Sequence, residues 1–175
     1  MPAENKKLYL FEAIELRNAY DIQIDLLKKL LFGEAIKEYF SEKSNDDKFL
    51  ADDYKPATLE KELQKISHKR LKLNQEIQNT NYSTKINYIG DEITIAEALE
   101  LRKALKERLK FIKQKIDDST MKRIIHKEDR DIEIKPTYEF KECFNEYNDA
   151  LDEQRELLNQ IHSMNHSTII NFREE

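Results

Sequence analysis

Apolar residues recur along this chain at steps of three and four. Ala13, Leu16, Tyr20, Ile24, Leu27 and Leu31 form one such row, and Ala98, Leu101, Leu105, Leu109, Ile112 and Ile116 form another. That period places each row on one face of an amphipathic helix. Two narrower rows follow: Leu59, Leu63, Ile66, Arg70, Leu73 and Ile77, then Cys143, Tyr147, Ala150, Gln154, Leu157 and Ile161. Their strict four-three alternation is the seam of a coiled-coil-like helix pair. The pattern predicts four long helices.

The rows are copies of each other. Leu10-Phe-Glu-Ala-Ile-Glu-Leu-Arg17 returns as Ile95-Ala-Glu-Ala-Leu-Glu-Leu-Arg102, 85 positions on. Asn81-Tyr-Ser-Thr-Lys-Ile-Asn-Tyr88 returns 84 positions on as Asn165-His-Ser-Thr-Ile-Ile-Asn-Phe172. Two motifs recurring in the same order make a duplication, with repeat 1 about 8–88 and repeat 2 about 93–172. The expected fold is mainly α, a single domain over 1–175: an antiparallel four-helix bundle built from two duplicated helical hairpins, with short β-hairpins at the connections.

Punctuation refines the elements. Thr94 and Glu97 have capping-box spacing and should open the third helix, whereas Tyr9 stands at the equivalent place of the first helix and supplies no such cap. Pro56 and Pro136 precede the second and fourth helices, where a fixed φ and a missing N–H are tolerated. Between the first two helices, Glu34–Phe40 could form a short helix and residues 41–53 a polar loop. Arg123-Ile-Ile-His126 and Ile132-Glu-Ile-Lys135 flank a polar turn, which predicts one hairpin, and Ile86 to Ile95 around Gly90 predicts another. Asn81 and Asn165 are expected to end their helices in the left-handed conformation that Asn tolerates.

Composition narrows the class. Charged residues make up 37% of the 175, and Gly and Pro together number only five, a balance that suits solvated helices. The polar start, the single Cys143 and the lack of an 18-residue apolar run argue for a cytoplasmic protein with no disulfide and no membrane span. With only Gly33 and Gly90, no phosphate-cradling loop can be built. From Arg102 to Lys127 there are ten Lys/Arg against three Asp/Glu; from Glu139 to Glu156, seven acidic against two basic. Antiparallel packing of a basic third helix on an acidic fourth explains this without an outside partner. The acidic total of −5 and the absence of interleaved aromatics disfavour nucleic acid.

Candidate chemistry is sparse. No catalytic constellation is present and no cofactor is implied. The duplicated Asn81, Ser83, Thr84 and Asn165, Ser167, Thr168 could line a small-ligand pocket if their strands pair about a pseudo-two-fold axis. Arg70 and Gln154 occupy one seam slot, where a polar side chain fixes register or contacts a ligand. His162 and His166, four apart, have metal-ligand spacing, yet Gln78 and Tyr82 hold the equivalent places in the first copy. Ile14, Leu26, Leu30, Leu99 and Phe111 lie off the main stripes and leave apolar surface to cover, so self-association is expected. The leading reading is a non-enzymatic, homo-oligomeric structural or interaction module. Ligand binding through the Asn-x-Ser-Thr segments comes second and a metal-dependent enzyme third.

The Glu-Ala-x-Glu-Leu-Arg helix start, the Asn-x-Ser-Thr segment leading into its second copy, Asp131-Ile-Glu-Ile134 and the closing Asn-x-Ser-Thr resemble the septicolysin-like family of small bacterial proteins. That resemblance runs from Leu10 to Phe172 and implies a helical protein of uncharacterised function.

Overall fold

The structure, a computed structural model, describes residues 5–33 and 54–173. In chain order its elements are β1 (Asn5–Tyr9), α1 (Leu10–Phe32), α2 (Pro56–Ser83), β2 (Lys85–Tyr88), β3 (Asp91–Thr94), α3 (Ile95–Ser119), β4 (Arg123–Lys127), β5 (Arg130–Ile134), α4 (Phe140–Ser167) and β6 (Ile169–Arg173). Among the described residues the fold is mainly α, with the four long helices that the sequence pattern predicts and three short antiparallel strand pairs, of which two are the predicted hairpins. The short helix expected over Glu34–Phe40 and the polar loop over 41–53 lie outside the described residues.

Two compact units emerge, one of Met1–Thr80 with Asn165–Glu175, the other of Asn81–Met164. Their limits differ from those of the sequence repeats. Strand β2 follows α2 in the chain but belongs to the second unit, and β6 follows α4 but belongs to the first. Each unit therefore holds one strand pair of the same design. In the first, β1 pairs with β6 and Leu8 faces Ile170; in the second, β3 pairs with β2 and Ile93 faces Ile86. These positions correspond under the duplication, so the register was inherited along with the sequence.

The helix starts carry the same signature. Leu10 N–H donates to the Thr168 carbonyl at 2.8 Å, and Ile95 N–H donates to the Thr84 carbonyl at 2.9 Å. A free amide of each helix start is thereby satisfied by the residue ahead of the paired strand. At α3 the full capping box forms: Glu97 N–H donates to Thr94 Oγ1 at 3.2 Å, and Thr94 N–H donates to Glu97 Oε2 at 2.7 Å. At α1 Tyr9 gives no side-chain cap, but its N–H still donates to Glu12 Oε2 at 2.8 Å. Half the box survives, and β6 supplies the rest of the anchoring.

Within each unit the helices run antiparallel. In the first, Arg70 of α2 meets Asp21 of α1, and Tyr54 Oη donates to the Leu30 carbonyl at 2.7 Å. In the second, Arg108 and Lys115 of α3 meet Glu153 and Glu146 of α4. The predicted apolar rows point inward except at Leu101, which is exposed: Leu73, Ile77, Ile112 and Leu157 are buried, and Leu109, Ile112 and Ala150 form a cluster flanked by Ile116, Tyr147 and Leu151. Both predicted hairpins form. In β2–β3 the turn residues Ile89 and Gly90 have φ of 52° and 88°, the positive pair of a type I′ hairpin turn.

One expectation about helix ends is corrected. Asn81 and Asn165 do not terminate their helices, which continue to Ser83 and Ser167. Among the described residues the sole non-glycine with positive φ is Ile89, so neither Asn adopts the left-handed conformation. The helices stop at Thr84 and Thr168, β-branched residues that enter the strands and whose carbonyls serve the next helix start.

Candidate functional site

The Asn-x-Ser-Thr segments lie at the ends of α2 and α4. Asn81 is buried, Asn165, Thr84 and Thr168 are half-buried, and Ser83 and Ser167 are exposed. Among the described residues, every fully enclosed side-chain polar atom has a hydrogen-bond partner. The strands that follow pair with β3 and with β1, in separate sheets, rather than with one another. The strand pairing on which a shared pocket was premised is therefore not the pairing observed.

The shared seam slot has diverged in the two units. Arg70 Nε lies 2.9 Å from Asp21 Oδ1, and Nη2 lies 3.5 Å from Oδ2, an approach to the two-pronged arrangement that guanidinium favours. The guanidinium thus pins α2 to α1. At the corresponding places of the second unit stand Gln154 and Lys106, which cannot make that pair. Gln154 instead lines a shallow groove along α4 with Leu151, Arg155, Leu158, Asn159 and His162.

The second unit is pinned differently. Tyr88 Oη donates to Glu153 Oε1 at 3.0 Å, and Arg108 Nη1 donates to Glu153 Oε2 at 3.0 Å. One carboxylate thus joins β2, α3 and α4. Burial, and then the bond to Glu153, push the Tyr88 phenol up to about 12. At neutral pH the phenol is therefore protonated, as its donation to Glu153 requires. Phe172, Lys69 and Gln23 occupy the equivalent positions of the first unit, so this triad belongs to one copy alone. Elsewhere the hydrogen bond from Lys85 to Glu92, 2.6 Å long, raises the ammonium, and the bonds from Thr94 lower Glu97.

The two histidines share a helix but not an environment. His162 sits on the α4 groove, and the His166 ring lies 4.4 Å from that of Phe11. Among the described residues no cluster of three or more His, Cys, Asp or Glu could hold a metal ion, so a third ligand has no source there. His126 and Asp131 approach to 2.7 Å on the exposed β4–β5 hairpin, and His126 lines an open depression with Glu128, Asp129 and Arg130.

The exposed apolar surface is more distinctive. Ile22, Leu26 and Leu30 of α1 are 71%, 57% and 41% exposed and stand at four-residue spacing, a straight ridge on the outside of the helix. Phe111 of α3, the duplication partner of Leu26, is 58% exposed. Both copies thus present a large apolar side chain at one corresponding position. Leu26, Leu30 and Phe111 were legible as off-stripe residues in the sequence; Ile14 and Leu99 proved half-buried. Ile22 was missed, though it completes the four-residue row.

Among known proteins, the model of a family described as a family of unknown function, DUF6847, matches residues 50–170. A solved structure, described as the crystal structure of a functionally unknown conserved protein from Corynebacterium diphtheriae, is similar with a TM-score of 0.70 and 22% identity. The alignment covers 94% of this chain and 99% of that one. At that identity the likeness speaks to the fold. No curated protein matches the chain. The resemblance to the septicolysin-like family is not upheld, since the family that matches is DUF6847 and nothing found points to the other. No helix among the described residues is long and apolar enough to cross a membrane.

Proposed function

Because the chain belongs to the DUF6847 family of unknown function, we propose from its geometry that it is a non-enzymatic interaction module that associates with copies of itself. The observation that carries this reading is the α1 ridge of Ile22, Leu26 and Leu30. A helix that buries Leu10, Ala13, Ile24, Leu27 and Leu31 on one face has already served its own core. A second ordered apolar row on its outer side costs solubility unless something covers it.

The ridge suits a second copy. It is flanked by Asp25 and Lys29, both exposed, and in a two-fold antiparallel pairing of ridges each Asp25 approaches the Lys29 of the other chain. Such a contact is self-complementary and closes at two subunits. The buried thiol of Cys143 fits a reducing compartment, and we place the module in the cytoplasm.

Site-directed oxidation tests the contact. With Cys143→Ala to remove the native thiol, Leu26→Cys should form a covalent dimer under mild oxidant. Ile169→Cys, equally exposed on β6 at 53%, should not. Equal crosslinking of the two, or none at Leu26→Cys, would defeat the proposal.

A further inference from the structure

Helix α3 carries more positive charge than its contact with α4 uses. Arg108 and Lys115, seven residues apart and so on one flank, reach Glu153 and Glu146. Arg102, Lys106, Lys110 and Lys113 lie roughly 120–200° further round the helix at 100° per residue. All four are exposed, and among the described residues none of them forms an ion pair. Their spacing of four, four and three aligns like charges over about 17 Å at 1.5 Å per residue. Like charges so placed weaken a helix when nothing answers them.

The same unit carries the opposite pattern. On α4, Glu142, Asp149 and Glu156 stand at seven-residue intervals, all exposed, over about 21 Å. They lie just outside Glu146 and Glu153, the carboxylates already committed to α3. Within one unit the basic row cannot reach this acidic row, because α3 meets α4 through its opposite flank.

We propose that the free basic row of α3 docks on the acidic row of α4 in a second copy of this chain. The complementarity of the two rows in sign, length and helical setting selects that occupant. A nucleic acid would meet the same cations, but also the acidic α4 row close by and a chain of net charge −5. The contact joins two different surfaces, so it is head-to-tail and propagates beyond two subunits unless it closes as a ring. This deepens the self-association reading and rests on it: the α1 ridge pairs chains two by two, and the charged rows link further copies.

The two contacts respond to different perturbations. Sedimentation velocity at 0.05 and 0.5 M NaCl, in wild-type and Leu26→Glu backgrounds, separates them. The charged contact should weaken at least tenfold across that salt range, whereas the α1 contact should not. Lys106→Glu with Lys110→Glu should abolish the salt-sensitive association, as should Asp149→Lys with Glu156→Lys. An equimolar mixture of these two double variants should still leave one complementary pair of reversed rows and restore it. The neutral Lys106→Gln/Lys110→Gln variant serves if reversal harms folding as read by circular dichroism. Salt-insensitive association, unaltered association of both variants, or no restoration on mixing would overturn the proposal. So would a wild type that stays apart from itself at low salt yet binds a single-stranded oligothymidylate through Lys106 and Lys110. If instead Leu26→Glu leaves all association intact and salt-sensitive, the α1 reading fails and the charged contact stands.

Discussion

Replacing Tyr88 by Phe removes one hydroxyl and nothing else, and the protein already contains the answer at the corresponding position, where Phe172 is buried. The lost bond is the 3.0 Å contact to Glu153. Hydrogen bonds to a charged group contribute about 1.5–3 kcal/mol. The Glu153 side chain is 31% exposed and keeps Arg108, so the low end applies and Tyr88→Phe should cost about 1–1.5 kcal/mol at neutral pH. For a chain of this length that lowers Tm by about 2–6 °C. The pH dependence is the sharper signature. With the phenol raised from 10.0 to about 12 in the fold, the unfolded chain loses its proton first, so Tyr88's contribution is complete below pH 10 and declines as pH rises towards 12. Two units would amount to about 2.7 kcal/mol; screening at a partly solvated carboxylate reduces this to about 1 kcal/mol. The variant lacks this term. Urea unfolding of both proteins between pH 7 and 11.5 should therefore show a gap that is constant to pH 9 and then shrinks towards zero. A gap that is absent, or that widens with pH, would refute the assignment of Tyr88 as a buried neutral donor.

Three further outcomes follow from the same structure. Ile89 is a β-branched residue at φ 52°, so Ile89→Asn, which creates the Asn-Gly pair favoured by type I′ turns, should stabilise by about 1 kcal/mol in thermal unfolding. In a double-mutant cycle Arg70→Ala and Asp21→Ala should couple by about 0.5–1 kcal/mol, the scale of a half-exposed ion pair. Leu157, fully buried on α4, should cost about 2–5 kcal/mol when cut to Ala, read by denaturant midpoint.

Much of this fold is written in periodicity. The rows of α1 to α4 and the strands flanking Gly90 follow from three-four and alternating spacing, because burial of one face is what those spacings encode. The pairing of β1 with β6 was beyond that logic. Leu8 to Tyr9 carries too short a pattern to announce β1, and its partner β6 lies at the other end of the sequence, so only tertiary structure reveals the exchange. The helix ends were misjudged because Asn at 81 and 165 looks like a terminator, while Thr84 and Thr168 do the work through backbone carbonyls that sequence does not display. At the sites, the seam residue Arg70 was visible as a polar intrusion, but its partner Asp21 was one of several charges on α1. The Tyr88–Glu153–Arg108 triad joins three elements and leaves no local motif. The α1 ridge was partly legible, since Leu26 and Leu30 fall off the buried stripe, and its exposure required the packed helix pair.

Light scattering of size-separated wild type and Leu26→Glu, over a concentration series, addresses the central claim most directly. Leu26 is exposed, so the substitution should leave the helical fold intact by circular dichroism. The account predicts a wild type of at least twice the chain mass, and in 0.5 M NaCl, where the charged contact is screened, a Leu26→Glu variant of the chain mass alone. A wild type that is monomeric at every concentration, or a variant that assembles as the wild type does at high salt, would contradict it.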